Sequence, residues 1–162
     1  MKPTELHVYD LDGTLYDSPR LAVDRPSWWY SAQSLQSFGL PGFDSKWLLG
    51  PVMAARRSIA TPWVRTALLT GRPHHAEMLA VIHAMLRSAD LPFDEVCLKP
   101  VWPPTTTPRY KSLRVVDWVA DHPTANKVVV HDDLQENLDA VGYGLRYFRD
   151  MTYVPVLAPG VS

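Results

Sequence analysis

The chain is poor in sulfur chemistry and in net charge. A single cysteine, Cys97, stands in 162 residues. No disulfide can therefore form within the chain, and a reducing compartment is expected. Cys97 falls in an apolar run, where a thiol behaves as a small core side chain. Formal net charge is -1, so no global field draws the chain toward nucleic acid or an anionic membrane. No apolar run approaches the roughly 18 residues of a membrane-spanning helix. Behind Met1-Lys2-Pro3-Thr4-Glu5 there is no apolar segment of the secretory kind, so a cytoplasmic protein is expected. Repeats, charge runs and an internal linker are missing too, and the length suits one domain over 1–162.

What is present is an ordinary globular balance, 46% hydrophobic and 20% charged, enough for a sizeable core. Arginine outnumbers lysine 11 to 5, and planar guanidinium forks suit phosphate. Strand-like runs occur at 5–9, 63–70, 93–98 and 127–131, with a further expectation at 145–148 and in the tail 153–157. Between them lie helical patterns at 26–35, 51–60, 74–88, 107–120 and 134–141. Gly71-Arg72-Pro73 reads as a turn, and Gly142 or Gly144 as a helix stop. Alternating strands and helices, with strands that are continuous apolar runs, predict an α/β fold. Its central parallel sheet would be covered on both faces, a Rossmann-like three-layer sandwich.

In such a sheet a ligand binds beyond the carboxyl ends of the strands. The polar candidates all fall there. The first strand runs into Asp10-Leu11-Asp12-Gly13-Thr14-Leu15, the second into Thr70-Gly71-Arg72 and the fourth into Asp132-Asp133. The third ends at Lys99-Pro100, and the proline-rich loop after it leads to Lys111 at a helix start. Carboxylates at i and i+2 point the same way in extended chain, which suits a divalent cation and a phosphate.

These motifs resemble the haloacid dehalogenase-like (HAD) superfamily of aspartyl-phosphate phosphohydrolases, over roughly residues 5 to 150. The resemblance implies that Asp10 is the nucleophile and Asp12 the general acid and then base. It implies Thr70 as a hydroxyl donor to the phosphoryl oxygens. It implies Mg²⁺ held by Asp10, the main-chain carbonyl of Asp12, and Asp132, with Asp133 ligating through water or orienting the others. Two lysines compete for the third motif. Lys99-Pro100 looks like one form of it and Lys111, 21 residues before Asp132, like the other; Lys111 is preferred, because the loop separates Lys99 from the next helix. Gly71, Arg72 and Lys99 are then candidates to contact substrate. His74 and His75 lack partners at metal-ligand spacing and read as helix surface.

Superfamily members acting on small substrates usually carry a cap. Here residues 16–62 offer only a small helical, lid-like insertion, so an open site without a large cap is expected. Open sites suit large phosphorylated substrates, and nucleic-acid 3′- or 5′-phosphate ends are among them. Leu68-Leu69-Thr70-Gly71-Arg72, Leu98-Lys99-Pro100 and Thr107-Pro108-Arg109-Tyr110-Lys111 look like the capless HAD domain of Swiss Army Knife RNA repair-like proteins. Arg72 and Asp132-Asp133 look like polynucleotide kinase-phosphatases, although those tend to carry an arginine where this chain has Leu134. Trp102, Trp28 and Trp29 are candidates to stack bases. The alternatives are a nucleotide or sugar-phosphate phosphatase capped by a partner subunit, and a phosphate-binding module without catalysis.

Overall fold

A computed structural model describes residues 2–18, 29–36 and 47–160. Trp28 and the first three residues of the helix expected at 26–35 lie outside the described residues, and of the rest only Gln33–Gln36 is a regular helix.

Among the described residues five strands form one parallel sheet: β1 (Glu5–Tyr9), β2 (Val64–Pro73), β3 (Glu95–Lys99), β4 (Lys127–Asp132) and β5 (Thr152–Leu157), in the order β3-β2-β1-β4-β5. The described helices are α1 (Gln33–Gln36), α2 (Leu49–Ile59), α3 (Ala76–Ser88), α4 (Thr107–Asp121) and α5 (Gln135–Leu145). None is long and apolar enough to cross a membrane.

Alternation within β1 explains the layers. Leu6 and Val8 point to one face and pack with Val115, Trp118 and Val119 of α4 and Leu138 and Val141 of α5. Tyr9 points to the other face, with Val52 and Ala55 of α2 and Met78 and Ile82 of α3. Apolar side chains at helical spacing on each helix close both sides of the sheet.

Expectations for two stretches of the chain are corrected. Gly71-Arg72-Pro73 is not a turn: β2 continues through it, with an irregular register against β3 between Thr70 and Pro73. The other is the helix stop. The α5 helix runs through Gly142 and Gly144 to Leu145, and the strand expected at 145–148 is this helix end and a turn. The glycines serve packing here. A Cβ on Gly142 would meet the Tyr153 ring at 3.0 Å, and one on Gly144 would meet Ser112 Oγ at 2.4 Å. Their bare backbone lets α5 lie against β5 and α4.

The strand order reverses direction between β1 and β4, the neighbouring strands that start each half. Their carboxyl ends form the crevice where open α/β sheets hold ligands, and Asp10 and Asp132 stand at that point.

Candidate active site

The turn after β1 is shaped by its backbone. The Leu11 carbonyl accepts from the N–H groups of Leu15 and Tyr16 at 3.1 and 3.0 Å. Leu11 and Leu15 are fully buried and anchor the loop. Gly13 has φ +76, and a Cβ there would lie 2.3 Å from Asp133 Oδ2. Glycine is required on both counts, the left-handed backbone and the approach of a carboxylate.

Asp10, Asp132 and Asp133 come together, with one carboxylate oxygen from each lying within 4.8 Å of the others. Lys111 closes the group. Its Nζ lies 2.8 Å from Asp10 Oδ1 and 2.6 Å from Asp132 Oδ2. Helix α4 delivers this lysine: Thr106 caps it by accepting from Arg109 N, and Pro108 stands in its first turn. Asp132 is tied further, since its Oδ1 accepts from Leu134 N at 3.0 Å and from Asn137 Nδ2 at 2.9 Å.

Burial raises the Asp10 carboxyl well above its ordinary range; Lys111 pulls it down, while Asp132 and Asp12 push it up. Burial also works against the Lys111 ammonium, but Asp10 and Asp132 outweigh it and hold that group above its usual value. Asp133 is raised by burial first and then by the charge of Asp132. Three crowded carboxylates facing one ammonium are short of positive charge. Hard oxygen donors in this number suit Mg²⁺, so the residues fit the cation that the motifs imply.

The Asp12 side chain lies apart from that cluster, in the grip of Arg72. Arg72 Nη2 donates to Asp12 Oδ1 at 2.7 Å, and its Nε lies 3.0 Å from Asp12 Oδ2. Arg72 is wholly buried. Its Nη1 donates to Ser34 Oγ at 2.6 Å and to the Trp29 carbonyl, and its guanidinium lies 3.8 Å from the Trp29 ring centroid. Thr70, also fully buried, accepts from Arg72 N at 3.1 Å. A Cβ on Gly71 would meet Thr107 Cγ2 at 2.9 Å, so β2 and α4 touch beside the site.

Lys99 is placed elsewhere. Its Nζ donates to the Thr105 carbonyl at 2.6 Å and ties down the loop before α4. His75 caps α3, its Nδ1 accepting from Met78 N at 3.2 Å, and His74 is exposed. Asn137, Ser34 and the Trp29 carbonyl were not legible as site residues. Asn137 sits five residues past Asp132, where the turn into α5 folds its amide back. Ser34 and Trp29 reach the site only through tertiary contact with Arg72.

The sequence matches the profile of "HAD domain family 1 in Swiss Army Knife RNA repair proteins" over residues 14–150. The match begins after Asp10 and Asp12. No curated protein matches at a significant level. Among solved structures, the HAD domain of effector protein Lem4 from Legionella pneumophila is similar, with TM-score 0.63 and 13% identity, covering 99% of this chain and 90% of that one. A chain of the Pnkp1/Rnl/Hen1 RNA repair complex is similar with TM-score 0.60 and 16% identity, covering 96% of this chain and 43% of that one. At such identities the likeness is one of fold.

Proposed function

Since this chain belongs to the family of HAD domains found in Swiss Army Knife RNA repair proteins, we propose that it is a Mg²⁺-dependent phosphomonoesterase working through an aspartyl-phosphate. The observation that carries this is Lys111 Nζ bridging Asp10 Oδ1 at 2.8 Å and Asp132 Oδ2 at 2.6 Å beside Asp133. It joins a nucleophile, a fixed cation and an acidic pair in one crevice.

In this reading a carboxylate oxygen of Asp10 attacks phosphorus in line, and the bond from phosphorus to the ester oxygen breaks. Asp12 protonates the leaving oxygen. It then takes a proton from the water that releases phosphate from Asp10. Arg72 grips Asp12 at two points, through Nε and Nη2, and fixes its orientation. Lys111 holds the nucleophile and offers positive charge to the phosphoryl oxygens. Thr70 keeps its hydroxyl hydrogen to donate, because its oxygen is the acceptor for Arg72 N. A Mg²⁺ held by Asp10, Asp132, Asp133 and the Asp12 carbonyl would offset the repulsion between the anionic nucleophile and the phosphate.

The substrate reading rests on the expectation of a site without a large cap and on the family's name: a phosphate at the end of a nucleic-acid strand. A specific contact favours a second reading. Trp29 and Ser34 hold Arg72, so part of the 16–62 insertion reaches the site edge, as a lid over a nucleotide or sugar phosphate would. A panel of 3′- and 5′-phosphorylated oligonucleotides beside small phosphates separates the two by kcat/KM. With Mg²⁺, p-nitrophenyl phosphate should be turned over, and Asp10→Asn should lower that rate at least about a thousandfold. Absence of turnover on every phosphate of the panel would refute the phosphatase reading.

A further inference from the structure

Arg72 is a charged side chain with no surface of its own. It is 0% exposed, while the side chain of its partner Asp12 is 19% exposed. A molecule entering the crevice can therefore touch Asp12 but not Arg72. A buried guanidinium must be paired and hydrogen-bonded from within. Nε and Nη2 meet the Asp12 carboxylate at 3.0 and 2.7 Å. Nη1 donates to Ser34 Oγ at 2.6 Å and to the Trp29 carbonyl. The Trp29 ring covers one face of the guanidinium, 3.8 Å from its centroid. The two-pronged fork that would clasp a phosphate is thus occupied by Asp12.

The other end of this clamp is firmly seated. The Ser34 hydroxyl donates within its own turn, to the Ser31 carbonyl at 2.8 Å, with the Trp29 carbonyl 3.0 Å away. Its oxygen therefore keeps a lone pair for Arg72. Ala32 and Leu35 are buried, and Leu35 packs with Leu15, Leu68 and Met78. His75 ties the same stretch to α3. Its Nδ1 accepts from Met78 N, so Nε2 carries the hydrogen and offers it to the Tyr30 carbonyl at 3.4 Å. Because the guanidinium is planar and rigid, setting Nη1 also sets Nε and Nη2, and with them the Asp12 carboxylate.

We propose that Ser34 and the Trp29 carbonyl are positioning groups for Asp12, acting through Arg72, and that Arg72 does not touch the substrate phosphate. What Asp12 does once positioned, protonating the leaving oxygen, rests on the phosphatase reading. The inference gives residues 29–35 a part in the chemistry and leaves Lys111 and Thr70 as the side-chain donors to the phosphoryl oxygens.

Two measurements test it, and the first needs no turnover. In urea titrations, the midpoint shift caused by Ser34→Ala should change at least about twofold when Asp12→Asn is also present, because both act on one guanidinium. With Arg72→Met as background, the two substitutions should simply add. Equal Ser34→Ala shifts with and without Asp12→Asn overturn the proposal. The second measurement compares phenyl phosphate with p-nitrophenyl phosphate. The two present the same phosphoryl group, but phenoxide is the poorer leaving group and depends more on a proton from Asp12. Ser34→Ala should lower the ratio of kcat/KM, phenyl over p-nitrophenyl, about tenfold, part of the roughly hundredfold or more that general acid catalysis contributes. A merely structural role, or an Arg72 that clasps the phosphate, would lower both esters alike. An unchanged ratio therefore overturns the proposal, while hydrolysis of both esters leaves the phosphatase reading standing. Coupled midpoints in a protein that hydrolyses neither ester would support the seating of Asp12 and refute the phosphatase reading.

Discussion

Lys111 is a buried ammonium between two buried carboxylates, 2.8 and 2.6 Å away. Taking a charge out of water is costly, so each member of the cluster depends on the others. Lys111→Met keeps the volume and removes the cation. At pH 7 it should destabilise the protein by roughly 3 kcal/mol, because Asp10 and Asp132 are left facing one another. Urea titrations should show Mg²⁺ recovering more stability in Lys111→Met than in the unsubstituted protein, since a divalent cation can replace the missing charge. His131 makes stability depend on pH. Its ring stacks on Tyr9 at 4.3 Å, and burial, then repulsion from His7, lower it from 6.5 to about 4. The unfolded chain therefore takes up a proton as pH falls below 6.5, while the folded chain does so only near 4. The stabilising contribution is complete above 6.5 and fades as pH drops through about 4. With a discount for a ring that is only partly buried, the change is about 2 kcal/mol. Urea midpoints at pH 7 and pH 4.5 should diverge less in His131→Gln than in the unsubstituted protein.

At the scale of elements, contacts decide what local sequence preference leaves open. Glycine disfavours helix by about 1 kcal/mol relative to alanine, so Gly142 and Gly144 read locally as a helix end. Yet α5 continues through both, because α4 and β5 approach closely there. Gly144→Ala tests this. Its Cβ would lie 2.4 Å from Ser112 Oγ and 3.0 Å from Val116 Cγ2. Overpacking should outweigh the gain in helix preference and destabilise the protein by about 1–2 kcal/mol in thermal unfolding. Adding Ser112→Ala should recover part of the loss, since it removes the nearest atom. The irregular end of β2 has a related logic. A plain turn at Gly71-Arg72 would end the strand; its continuation, with shifted register against β3, carries Arg72 inward to Asp12.

On the scale of the whole molecule, the parallel sheet assembles its site from distant parts of the chain. Asp10 and Asp132 are brought together only because β1 and β4 pair in parallel, with Tyr9 beside His131. A cation held between them binds the folded chain alone and should raise its stability by mass action. At a Mg²⁺ concentration one hundred times Kd the gain is about 2.7 kcal/mol. Titrating Mg²⁺ against the melting temperature should show that rise, and Asp132→Asn should flatten it.

The motifs at the strand ends, the alternation of strand and helix, and the parallel sheet were all legible in order along the chain, because period, apolar runs and turn residues are local properties. The same locality explains the two misread segments, where Gly71-Arg72-Pro73 and Gly142-Gly144 carry turn residues that distant contacts override. The sequence favoured Lys111 over Lys99 as the partner of the acids only on the strength of the intervening proline-rich loop. The fold delivers Lys111 to Asp10 and Asp132 and ties Lys99 to a loop carbonyl. The sequence could not show that Arg72 would be buried against Asp12, Ser34 and Trp29, or that Asn137 would fold back onto Asp132. Those contacts join residues far apart in the chain or turned by a tight bend, and burial sets their strength. Only the packed tertiary structure supplies both.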